Sequence, residues 1–190
     1  MVKKPRRDRF RNVGHGEQLD HTGARIVNAA FVQRLGEAEY GEDAGRIGFL
    51  HLVARSGASV PEGKVFTQEF HRRFLDSANL ADTIRQTANA GGSIRRRVRA
   101  LRKKFGQVPL DDELNRMICD AIISLDACTV VIISEDVTRS GLRTIPEARD
   151  AVRKAWLSLS GLKRQIDAAS QGEEIPTWPI LIQKEIRYVR

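Results

Sequence analysis

The sequence predicts an all-α fold: a compact helical domain of five or six helices, preceded by a flexible basic arm and followed by an apolar, Pro-containing tail. Two observations lead there. Apolar residues recur three and four positions apart through most of the chain between Thr22 and Gly172, the period of a helix with one buried stripe. The single β-branched run, Thr129 to Ser134, has no partner strand or hairpin signal near it. The expected boundaries are 1–20 for the arm, 21–172 for the helical domain and 173–190 for a docking tail.

Residues 1–20 show no apolar period and are interrupted by Pro5, Gly14 and Gly16, which reads as an extended, mobile arm. A first helix is expected from about Thr22, using Ile26, Ala29, Ala30, Val32, Leu35 and Ala38, with Gly41 ending it. A short helix or irregular segment follows over Asp43 to Ala54, and Ser56 to Lys64 reads as a loop. Thr67 is a plausible N-cap for a helix of about 20 residues carrying Phe70, Phe74, Ala78, Ala81, Ile84 and Ala88, closed by Gly91-Gly92. Ser93 opens the next, whose apolar stripe is Ile94, Val98, Leu101 and Phe105. Asp111, Asp112 and Glu113 announce another start, because negative charge favours a helix N-terminus. That helix is expected to continue, buried, through Thr129 to Ser134. Thr144-Ile145-Pro146-Glu147 is a capping box with Pro in the first turn, opening a helix that uses Ala148, Val152, Trp156, Leu159, Leu162 and Ile166. The tail has Pro176 and Pro179 around Trp178, which favours an extended strap, and its seven Ile, Leu, Val or Trp residues in 174–190 are too apolar for a free end.

The 190 residues suit one domain with an arm better than two cores. At 41% hydrophobic and 29% charged, the chain has the composition of a packed domain and not of a disordered one. There is no run long and apolar enough for a membrane span, and the charged first residues lead into no apolar segment of a secretory signal. A cytoplasmic protein is expected. Cys119 and Cys128 make no disulfide framework and have no zinc spacing; both are expected as buried thiols. His15, His21, His51 and His71 form no metal motif, and neither a phosphate-binding Gly loop nor a nucleophile elbow occurs. No enzyme activity, cofactor or metal is therefore expected, although a site scattered through the sequence would leave no such trace.

The net charge of +8 is unevenly placed. Residues 1–11 carry +5, the acid-free stretch between Asp82 and Asp111 carries +8, and the rest of the chain sums to −5. Clustered positive charge is a better sign of a phosphate-binding surface than a high pI alone. On a helical wheel starting at Ile94, the stripe Ile94, Val98, Leu101 and Phe105 falls within about 40° either side of the origin. Arg95, Arg96, Arg99, Arg102 and Lys103 then spread from about 80° to 200°, with Lys104 and Arg97 near 280° and 300°. One narrow edge faces the core and nearly all the rest is cationic. Like charges at i, i+4, such as Arg95 and Arg99, cost stability, and a polyanion would relieve that cost. The preceding helix, the Gly91-Gly92 break and the basic helix have the order of a helix-turn-helix unit, a weak signal because the turn carries no further diagnostic residue.

In the arm, Lys3, Lys4, Arg6, Arg7, Arg9 and Arg11 suit phosphates or a minor groove, and Phe10 between two arginines suits stacking on an unpaired base. The expected function is nucleic-acid binding, DNA preferred over RNA, in a regulatory or architectural role. The alternative is a non-catalytic assembly or adaptor subunit whose basic surfaces meet an acidic protein. A homo-oligomer held by the tail is a possible state; a membrane partner is not expected.

Overall fold

A computed structural model describes residues 31–37 and 45–185. These residues form a mixed α/β fold, which corrects the all-α expectation. In chain order they are β1 (Val32–Arg34), α1 (Gly45–Arg55), β2 (Gly63–Phe66), α2 (Gln68–Ser77), α3 (Leu80–Ala88), α4 (Ile94–Gln107), α5 (Asp112–Ser124), β3 (Val130–Ile133), β4 (Thr138–Leu142), α6 (Ile145–Trp156), α7 (Leu159–Ser170) and β5 (Ile180–Lys184). The strands make one sheet in the order β1-β2-β5-β3-β4, every pairing antiparallel.

Alternation along each strand sends neighbouring side chains to opposite faces. Phe66, Val130, Ile132, Ile180 and Ile182 join the large core with buried side chains of α2 to α7. Val65, Ile133 and Leu181 point the other way and pack with Ile47 of α1. The sheet is thus covered on both faces, by α1 on one and by the other six helices on the second. Register locks this arrangement: Val65 lies opposite Leu181, and Ile132 opposite Ile182. A slip of one residue would turn each strand's core set to the wrong face.

The described part of the tail supplies the central strand of the sheet. β5 lies between β2 and β3, and the irregular segment before it buries Ile175 and Trp178. Trp178 meets His71 edge-on at 4.4 Å and donates its backbone N–H to His71 Nδ1 at 3.2 Å. His71 in turn stacks on Trp156, which also stacks on Phe74. Gln165, fully buried on α7, donates to the Pro176 carbonyl at 3.1 Å. Aromatic side chains of this size contribute about 1.5–3 kcal/mol each when buried, so this cluster is a main anchor between the helical layer and β5.

Local chemistry explains the other departures. Val32 belongs to β1, not to a helix running to Gly41, and Gly63 and Lys64 belong to β2, not to a loop. The long helix expected after Thr67 is two, because Asn79 adopts a left-handed conformation (φ 51°) between α2 and α3. Asn is among the few non-Gly residues that do so cheaply. The helix from Asp112 stops where Asp126 turns left-handed (φ 43°), and Thr129 to Ser134 contains β3 in place of continued helix. Thr144 and Glu147 form the capping box of α6, but Ser158 then caps a separate α7 by accepting the Gly161 N–H. Cys119 is half-buried, with burial raising its thiol pKa, and Cys128 is exposed, so the two thiols are not both core residues. No helix among the described residues is long and apolar enough to cross a membrane.

Candidate nucleic-acid interface

α4 is built to display charge. Ser93 is its N-cap, with Oγ accepting the Arg96 N–H at 3.4 Å. Gly92 (φ +105°) makes the turn from α3 in a conformation that other side chains resist. Val98, Leu101 and Phe105 are buried and Ile94 is half-buried, so the expected stripe is the one that packs, against α3 and α7. At 14 residues the helix is about 21 Å long.

The stripe leaves Arg95, Arg96, Arg99, Arg102, Lys103 and Lys104 exposed. None of the six forms an ion pair with a described residue. Many cations elsewhere do: Arg72 with Glu69, Arg73 with Glu113, Arg85 with Asp82, Lys154 with Asp150, Lys163 with Asp167, Arg164 with Glu135 and Asp136, and Lys184 with Glu62. Exposed arginines without such a pair to a described residue, such as Arg55, Arg116, Arg139 and Arg143, are scattered over other parts of the fold, whereas α4 gathers six cations on one helix. α4 also has no acid in its first turn, where Arg95, Arg96 and Arg97 sit. Positive charge at a helix N-terminus opposes the macrodipole, a cost of about 0.3–1 kcal/mol per charge. Repulsion between Arg95 and Arg99 and between Arg99 and Lys103 adds to it. The helix therefore carries an electrostatic load that the described part of the fold leaves uncompensated.

Arg97 is different. It is half-buried and donates from Nη1 to the Ala88 carbonyl at 2.6 Å, at the end of α3. There the guanidinium meets the negative end of a helix, so Arg97 ties α4 to α3 and contributes little to the outer surface. Arg153 of α6 does the same for α4: its Nη2 reaches the carbonyls of Phe105, Gly106 and Val108 at 3.4, 3.0 and 2.7 Å. Sequence reasoning missed Arg153. It lies far along the chain from the carbonyls it holds, and only its position in the last turn of α6 relates it to α4. Both ends of α4 are thereby fixed, and the free cations ride on a held helix.

The arm residues Lys3, Lys4, Arg6, Arg7, Arg9, Phe10 and Arg11 lie outside the described residues. Among the described residues, no group of three or more His, Cys, Asp or Glu side chains is placed to hold a metal ion. No protein-family model matches this sequence, and no curated protein matches it.

Proposed function

We propose that this is a nucleic-acid-binding protein, with DNA preferred over RNA, which acts in the cytoplasm in a regulatory or architectural role. The observation that carries the reading is the set of six exposed cations on α4, unpaired by any described residue, on a helix whose ends Arg97 and Arg153 hold. A polyanion laid along this face removes the repulsion among them and releases condensed counterions. A helix about 10–12 Å across matches the major groove of B-form DNA, whereas the A-form major groove is too deep and narrow to admit it. The six basic residues of the arm add a second phosphate-binding element.

The test is a triple replacement of Arg95, Arg99 and Lys103 by Ala, followed by fluorescence anisotropy on a labelled duplex. The fold should survive, because all three side chains are exposed and Ala favours a helix. Affinity should fall, and the slope of log K against log salt should flatten by roughly 2–3 for the three lost phosphate contacts. A folded variant with unchanged affinity and slope removes α4 as the contact. Wild-type protein that binds no nucleic acid at low salt but captures an acidic protein through the same residues would instead support the adaptor reading.

A further inference from the structure

We infer that α4 reads the phosphate backbone and not the identity of the bases, so that its partner is duplex DNA of any sequence; this rests on the nucleic-acid reading above. Base discrimination needs a side chain held in one plane against a base edge, by packing or by a supporting hydrogen bond. The structure shows what a held arginine looks like in this chain: Arg97 and Arg153 are each fixed on backbone carbonyls, and neither belongs to the exposed set. Arg95, Arg96, Arg99, Arg102, Lys103 and Lys104 have no such support from any described residue. The other exposed residues of α4 are Ala100, Gly106 and Gln107, and the helix contains no Asn, Asp, Glu, Ser or Thr. The cations also fan over roughly 200° of the helix circumference, wider than a face that looks into one groove. Exposed charges spread in this way suit phosphates, which recur at about 3.4 Å along each strand whatever the sequence.

The experiment uses the full chain with duplexes of equal length and different composition: AT-rich, GC-rich and mixed. Affinities are measured at one salt concentration for the wild type, for the Arg95, Arg99 and Lys103 to Ala variant, and for Gln107→Ala. The expected result is that the triple variant weakens every duplex by the same factor, within roughly twofold, and that Gln107→Ala changes none of them by more than that. Any preference contributed by another part of the chain then survives unchanged in both variants. Losses that differ by roughly tenfold or more between duplexes, the size of one base-reading contact, would overturn the inference and leave the nucleic-acid reading standing. Wild-type protein that binds none of the duplexes overturns that reading and this inference with it.

Discussion

His71 links α2 to the segment leading into β5 through its ring nitrogen and two indole rings. Burial holds its pKa down, to about 3, against the weaker upward pull of its bond to the Trp178 N–H. The unfolded chain has a histidine pKa near 6.5, so it takes up the proton first as pH falls. Stability present above about pH 6.5 is lost progressively as the pH falls through the window down to about 3, with a slope approaching about 1.4 kcal/mol per pH unit. His51, lowered by burial and by Arg55, adds a contribution of the same sign. Denaturant unfolding between pH 7 and pH 5 should therefore show a steep loss in the wild type and a shallower one in His71→Asn, whose Oδ1 stands where Nδ1 accepts from Trp178. Equal slopes in the two proteins would contradict this account of the core. Gly161 offers a second residue-scale test. A Cβ there would meet Cη2 and Cζ2 of Trp178 at 2.5 Å and Oγ of Ser158 at 2.7 Å. Gly161→Ala should lower stability by about 1–3 kcal/mol despite the better helix propensity of Ala, because a packed indole must shift. Thermal melts of the two proteins check it, and a stabilised variant would show that the tail is not seated on α7.

Among the elements, α4 depends on a cap from another part of the chain. Arg153→Ala removes the side-chain donor from three carbonyls at its end, of which Phe105 keeps the Val108 N–H, and should cost about 1.5–3 kcal/mol, the range for hydrogen bonds made by a charged group. Hydrogen exchange should accelerate most over the last turn of α4; uniform acceleration throughout the chain would show that Arg153 supports the whole fold and not this helix end. The helices were the legible elements. The stripe of α4, the Thr67 and Ser93 caps, the acidic start of α5 and the capping box of α6 follow from local spacing and local hydrogen bonds. The strands were not. β3 and β5 lie in the middle of the sheet with both faces covered, so Val130 to Ile133 and Ile180 to Ile182 read as continuous apolar runs without alternation. The partners of β5 are distant in sequence, since Val131 pairs with Gln183 and Val65 with Leu181. But β3 also pairs with the neighbouring β4, Ile133 opposite Thr138, in a hairpin that the sequence was not expected to form. Long-range pairing leaves no local signal, and β4 was hidden because its sequence, Thr138 to Leu142, is polar and exposed for most of its length, so the β-branched run beside a strong helix reads as an extension of that helix. The breaks at Asn79 and Ser158 were hidden for the opposite reason, since apolar spacing carries on across each turn.

At the scale of the molecule, much of the positive charge among the described residues is sorted by role. Many basic side chains on other elements pair with carboxylates, Arg97 and Arg153 hold helix ends, and α4 gathers on one helix six cations that no described residue pairs. The sorting was half legible: the acid-free stretch marks the helix, and its wheel marks the outward residues. Composition alone could not separate Arg97 from its neighbours, because the Ala88 carbonyl that engages it is set by the turn between α3 and α4. The proposed role requires that this face meet nucleic acid. Its most direct measurement is a titration of isotopically labelled protein with a short duplex, following every backbone amide and every arginine side-chain N–H by NMR. The account predicts that, within residues 31–185, perturbations concentrate on residues 94–107, with Arg95, Arg96, Arg99 and Arg102 side chains shifting while Arg97 and Arg153 stay in place. Perturbations centred on another face, or none at duplex concentrations well above the protein's, would contradict it.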